Sequence, residues 1–224
     1  MPHFDIVKQN RPENTFRVSK IEADFDVKPE HSCERFVGDI DIPDEWSIGV
    51  IVGGSGTGKS TIARELFDEQ LVTGFDYAAG SVVDDMPKAN IGDITKMFYA
   101  VGFGSVPSWL KPYSVLSNGE KMRVDLARAL LEQDFVVFDE FTSVVDRQVA
   151  QTACLAISKA VRRTGKKFVA VSCHYDILDW LEPDWVFDTN TMQNFFGKAH
   201  ACKSTLKSEN VVRESGQSLG VITI

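Results

Sequence analysis

Gly53-Gly54-Ser55-Gly56-Thr57-Gly58-Lys59-Ser60 is the stretch whose reading decides the fold. It fits the phosphate-loop pattern GxxxxGK(S/T), and its flanks suit that pattern. Ile48, Val50, Ile51 and Val52 before it read as a short buried strand, while Ile62, Ala63, Leu66 and Phe67 after it recur at helical spacing. Glycines let the backbone curl so that successive N–H groups point inward and form an anion nest. The helix that follows adds the positive end of its dipole. Lys59 is then placed to reach β- and γ-phosphates, and Ser60 to set a hydroxyl on Mg²⁺. A glycine-rich turn with a chance lysine is the bland alternative, and the strand–loop–helix context weighs against it.

The 224 residues suffice to bury a full core, and one domain with a small insertion is the natural expectation. A hydrophobic share of 43% and a charged share of 25% are ordinary for a globular chain. The net charge of −8 argues against wholesale coating of nucleic acid, although a local basic face stays open. No apolar run approaches the roughly 20 residues that span a bilayer. Met1–Asn10 has no apolar signal-peptide core. The expectation is a cytoplasmic protein that is not itself embedded in a membrane. Cys33, Cys154, Cys173 and Cys202 form no CxxC pair, so reduced thiols are the default. Two His-x-Cys pairs, His31/Cys33 and His200/Cys202, would make a tetrahedral zinc site if they met, but the spacing matches no zinc pattern.

Thr15 to Val27 alternates in part (Phe16, Val18, Ile21, Ala23, Phe25, Val27) and predicts a strand. Phe36, Val37, Ile40 and Ile42 predict a second, with the turn between them at Pro29 to Ser32. An antiparallel pair ahead of the strand at Ile48 is the simplest reading. Phe25 or Phe36 is a candidate to stack on an adenine ring, with core packing the commoner role. Farther on, Ile91, Ile94, Thr95, Met97, Phe98 and Val101 predict a helix ended by Gly102 and Gly104, and Trp109 reads as buried. Ser117 with Glu120 fits a capping box that opens a helix lined by Met122, Leu126, Ala129 and Leu130. Phe135 to Phe138 reads as a buried strand ending in Asp139-Glu140. The expected use of those carboxylates is a Mg²⁺ contact from Asp139 and a water contact from Glu140, against a merely solvated strand end. A helix is expected from about Arg147 to Arg163. Phe168–Val171 is expected to form a strand that delivers Ser172-Cys173-His174 to its C-terminal end, where ligands gather in open α/β sheets. Trp185 to Phe187 reads as one more strand. From Lys198 the pattern fades into a polar segment that closes on a strand-like Val221–Ile224.

The order of these stretches is more specific than any one of them. Across most of residues 15–196 the chain resembles the ATPases of the ATP-binding cassette (ABC) superfamily. GGSGTGKS is similar to their Walker A motif, and LSNGE at Leu116–Glu120 to the LSGGQ signature. FVVFDE is similar to Walker B and SVVD at Ser143–Asp146 to the D-loop, while His174 falls at the switch histidine. The resemblance is nearest to a group of soluble bacterial and phage ABC ATPases, some fused to a predicted acetyltransferase domain. It implies an α/β P-loop NTPase with a mostly parallel central sheet, an N-terminal antiparallel β subdomain and a short helical insertion at about 84–118. The ATPase domain would cover 1–197, followed by the polar segment 198–224. It further implies a homodimer that sandwiches ATP and Mg²⁺, and an effector or acetyltransferase-like partner. Gly53 through Thr61 of one copy would hold the nucleotide, and Ser117, Asn118, Gly119, Glu120 and Asp146 would meet it from the other. Lys59, Glu140 and His174 would carry catalysis, with Ser60 and Asp139 on the metal.

The family's glutamine loop has no counterpart here. Gln70 alone lies in that interval and reads as part of the first helix, so Asp84 or Asp85 is expected to take the metal contact. Three functions compete. A soluble ATPase that drives or gates a partner comes first. A nucleotide-binding subunit of a membrane transporter is disfavoured by the short insertion and the missing glutamine. A nucleotide switch with little turnover is disfavoured by Glu140 and His174.

Overall fold

The computed structural model describes residues 2–10, 13, 15–26 and 32–197. Its centre is β3 (Ile48–Val52), buried at all five positions. A parallel strand covered on both faces must be apolar throughout, which is why no alternation appears there. β3 lies between β6 (Lys167–Ser172) and β7 (Trp185–Asp188), parallel to both. β5 (Phe135–Phe138) and the short β4 (Leu71–Val72) extend the sheet on one side, and antiparallel β8 (Gln193–Phe196) closes the other. The strand order is β4-β5-β6-β3-β7-β8, mostly parallel as expected.

Two apolar clusters fill the two faces. Ile48, Val50 and Val52 join α5 (Asn118–Glu132), α6 (Arg147–Thr164) and α3 (Ile91–Ala100) on one face. Ile51 joins α2 (Lys59–Phe67) and the N-terminal hairpin on the other. Gly49 is required by Trp185, because a Cβ there would sit 2.1 Å from the indole ring. The insertion, which carries the short α4 (Val106–Trp109), packs by aromatic contacts of Trp109 with Phe98 and Tyr99. Trp109 is buried, as expected, and its indole N–H donates to the Phe103 carbonyl at 2.8 Å.

The N-terminal region corrects the sequence reading. Residues Phe16–Phe25 form helix α1 and not a strand. Thr15 caps it by accepting from the Val18 N–H at 3.3 Å, and Asp26 ends it in the left-handed region. The apolar residues support either period, because Val18, Ile21 and Phe25 also share one helical face. The antiparallel pair exists, but it is β1 (His3–Asn10) with β2 (Ser32–Asp39). Of the turn expected at Pro29 to Ser32, residues 29–31 lie outside the described set, and Ser32 already belongs to β2. Gln70 sits in a 3₁₀ turn after α2 rather than in it. His31, His200, Cys202 and the terminal segment from 198 lie outside the described residues, so the zinc expectation does too. Among the described residues no helix is long and apolar enough to cross a membrane.

Asp184 pins this frame. Its Oδ2 accepts from the N–H groups of Ser47 (2.8 Å) and Ile48 (2.9 Å), and Arg162 of α6 donates to Oδ1 at 3.0 Å. Burial pushes the carboxyl upward, but the two N–H groups and the guanidinium outweigh it and hold the pKa below the usual range. Asp184→Asn is expected to cost about 1–3 kcal/mol at neutral pH, measured by urea unfolding. Because the folded pKa is lowered, the wild-type advantage is complete above about pH 5. It vanishes as pH falls through the ordinary carboxylate range and then the folded pKa. A stability difference that does not shrink on acidification would contradict this role.

Candidate functional site

The phosphate loop leaves β3 and enters α2 as the flanking pattern requires. Gly56 (φ 82°) and Gly58 (φ 87°) hold left-handed conformations that a side chain would resist. Gly58 is doubly constrained, because Phe36 of β2 lies on it and an added Cβ would meet that ring at 2.7 Å. Phe36 is 9% exposed and therefore committed to packing, whereas Phe25 is 69% exposed on α1. Of the two adenine-stacking candidates, Phe36 takes the core role.

Lys59 Nζ donates to the Gly54 carbonyl at 2.6 Å, so its ammonium stands inside the loop. Ser60 Oγ donates to Asp139 Oδ1 at 3.1 Å, which brings the end of β5 to the start of α2. A hydroxyl and a carboxylate beside a phosphate nest are the hard oxygen donors that Mg²⁺ prefers, and the residues present fit that ion. Asp139 Oδ1 also accepts from the Glu140 N–H at 2.8 Å. Glu140 itself is left-handed (φ 51°), an uncommon state for a residue with a side chain, and it lines the cleft at the loop. That cleft, about 160 Å³, is walled by Ser55, Gly56, Gly58, Lys59, Ser60, Thr61 and Glu140, with Lys8, Glu34 and Phe36 opposite. A wider cleft of about 620 Å³ opens between α3 and α6, near Tyr99, Leu155, Lys159 and Arg163, and contains no loop atoms.

The signature stretch stands apart from this cleft. Ser117 caps α5 in the expected capping box: Glu120 N–H donates to Ser117 Oγ at 3.3 Å, and Ser117 N–H to Glu120 Oε2 at 3.0 Å. Ser117 and Asn118 are exposed, and neither they nor Gly119 and Glu120 line the phosphate cleft. Ser108 donates to Glu120 at 2.7 Å; that bond, then the Ser117 N–H, lowers the Glu120 pKa. A Cβ on Gly119 would meet Val149 of α6 at 3.0 Å, so the signature lies beside the residues after β5. Asp146 is exposed and caps α6, accepting from the N–H groups of Gln148 and Val149.

β6 delivers Ser172-Cys173-His174 to its C-terminal end as expected. The His174 N–H donates to Ser172 Oγ at 3.1 Å, and the ring is half-buried but does not line the cleft. Asp84 is exposed and accepts from Ser81; Asp85 accepts from the N–H groups of Ala78 and Ala79. Neither lines the phosphate cleft, so the structure does not bring the expected glutamine substitute to Ser60 and Asp139.

Sequence reasoning missed the loop's outer braces. Gly54 N–H donates to Asn190 Oδ1 at 3.1 Å, and the Thr57 and Thr189 hydroxyls are hydrogen-bonded. Asn190 also donates to the hydroxyl of Tyr175, the neighbour of His174, at 2.7 Å. The available signal was Asp188-Thr189-Asn190, polar residues at the C-terminal end of a core strand.

No family model matches the chain. The human mitochondrial iron–sulfur clusters transporter ABCB7 is 29% identical over an alignment covering 54% of this chain. The chain spans about a fifth of that relative's length (22%). Among solved structures, the ATP-binding cassette MJ0796, a dimer bound to ADP and Pi, superposes with a TM-score of 0.58 at 13% identity, covering 83% of this chain and 92% of that one. MJ1267, an ATP-binding cassette of an ABC transporter in its ADP conformation, superposes with a TM-score of 0.57 at 17% identity, covering 76% and 88%. These relatives lend no support to an acetyltransferase-like partner. With the motif order laid on this sheet, the chain has the fold of the ATP-binding cassette superfamily.

Proposed function

We propose that this chain is a Mg²⁺-dependent ATP hydrolase, soluble and cytoplasmic, that works as an ATP-sandwiched homodimer to drive or gate a partner. The observation that carries the reading is the separation of two half-sites. One cleft gathers the loop, Ser60, Asp139 and Glu140, while Ser117 stands exposed on a helix N-terminus outside it. A γ-phosphate on the loop would need donors on its open side, and the α5 N-terminus of a second copy supplies them. Backbone N–H groups of residues 55–58 and the Lys59 ammonium hold the phosphates, the Gly54 N–H being taken by Asn190. Ser60 and Asp139 would hold Mg²⁺, which when bound neutralises developing phosphate charge. Glu140 orients or deprotonates the attacking water, and His174, which stands at the end of β6 outside the cleft wall, would meet the γ-phosphate once the nucleotide is bound. Loss of the γ-phosphate removes the bridge and releases the pair.

A second reading, the nucleotide-binding subunit of a membrane transporter, is favoured by the transporter relative and by the MJ1267 cassette. Purification from the membrane fraction with a spanning subunit would support it over the first.

Glu140→Gln is expected to slow hydrolysis by about 10²–10⁴-fold. With ATP and Mg²⁺ it should yield a dimer in size-exclusion chromatography; a monomer under those conditions would refute the sandwich. Wild-type turnover per chain should rise with protein concentration through the dimerisation range, and a flat profile would mean that each copy acts alone. Lys59→Ala should weaken nucleotide binding by about tenfold or more, followed by titration with a fluorescent ATP analogue.

A further inference from the structure

The β1–β2 hairpin changes character along one face. Residues directly opposed in an antiparallel pair share a face, and every second residue returns to it. The register opposes Phe4 to Gly38, Ile6 to Phe36 and Lys8 to Glu34. The first two pairs pack on the domain: Phe4 and Phe36 are buried, and the Phe4 ring meets Phe187 edge-on at 5.9 Å. The third pair, Lys8 with Glu34, overhangs the phosphate cleft and forms part of its wall.

Charges elsewhere on the hairpin are paired. Arg35 makes two hydrogen bonds to Asp5, at 2.8 and 2.6 Å, and His3 meets Asp39 at 2.9 Å. Among the described residues, neither the Lys8 nor the Glu34 side chain makes a hydrogen bond or ion pair, and both are exposed. Phe36, the aromatic ring on this wall, already lies on Gly58. With the phosphates on the loop and Glu140 beside them, the hairpin residues Lys8, Glu34 and Phe36 are the wall left for the nucleoside half.

We propose that Glu34 is a specificity-determining residue of this site: its carboxylate accepts a hydrogen bond from a donor on the nucleoside half of the nucleotide. Lys8 offsets its charge against the triphosphate. The inference rests on the phosphate-loop reading above. A carboxylate is an acceptor only, so it selects ligands that present N–H or O–H groups. Two groups of ATP qualify, the adenine amino group and the ribose hydroxyls.

The test measures dissociation constants with Mg²⁺ for ATP, purine riboside triphosphate, 2′,3′-dideoxy-ATP and inorganic tripolyphosphate, on the full chain and on Glu34→Ala. Equal thermal melting of the two proteins controls for folding. Glu34→Ala is expected to weaken ATP about tenfold and not to weaken tripolyphosphate. The penalty should disappear with purine riboside triphosphate, which has no N–H on that edge, if the amino group is the donor, or with dideoxy-ATP if the ribose is. An unchanged ATP affinity, an equal loss for tripolyphosphate, or a penalty that persists with both analogues would each overturn the assignment. Lys8→Ala should weaken ATP and tripolyphosphate alike through lost charge, and no effect on either would remove its role. Failure of wild-type protein to bind either ATP or tripolyphosphate would instead overturn the phosphate-loop reading itself.

Discussion

The curled backbone of residues 53–58 is the constraint on which the rest depends. An anion nest needs inward-pointing N–H groups that carbonyl oxygens of the same turn do not consume. Such a loop has little to hold it open, since its glycines carry no side chains. Here it is braced from outside. Asn190 takes the Gly54 N–H, Thr189 meets Thr57, and the Lys59 ammonium returns to the Gly54 carbonyl. Phe36 presses on Gly58 from the hairpin side. Each brace comes from the C-terminal end of a sheet strand, from the hairpin or from the first turn of α2, so the loop is only as well formed as the sheet beneath it.

That dependence explains the burial of β3 and the placement of Asp184. The strand that feeds the loop is enclosed on both faces and fixed at its start by Asp184, which bonds the amides of Ser47 and Ile48 and reaches α6 through Arg162. At the other end, β5, β6 and β7 deliver Asp139-Glu140, His174 and Thr189-Asn190 to the same edge. The left-handed backbone at Glu140 and Thr142 turns the chain sharply after β5. It leaves Asp139 on Ser60 and Glu140 facing the cleft. Tyr175 ties the turn after His174 to Asp188 and Asn190, linking the histidine's loop to the brace of the phosphate nest.

The signature stretch is held just as firmly but faces elsewhere. Ser108 and Ser117 fix the Glu120 carboxylate, and the stacked Tyr77 and Tyr113 rings both donate to Asp125 one turn further along α5. Burial raises the Asp125 pKa against those two hydroxyls. The signature helix is thus anchored to residues 75–77 and to the insertion, and its N-terminus remains exposed.

The sequence by itself determined what local chemistry can write: the phosphate loop between a buried strand and a helix, the capping box at Ser117, the carboxylates ending β5 and the long α6. Each is carried by residues a few positions apart, where periodicity, glycine and cap preferences act directly. At Phe16–Phe25 the spacing fits both periods and no core contact chooses between them, so only the structure decided for a helix. Partner choice across the chain was likewise closed to sequence. Nothing near Asn190 names Gly54, nothing near Asp184 names Ser47, and the opposition of Lys8 to Glu34 arises only when two distant strands pair. Tertiary packing settles these because hydrogen-bond partners far apart in sequence are chosen by the register of the sheet, which no short stretch encodes.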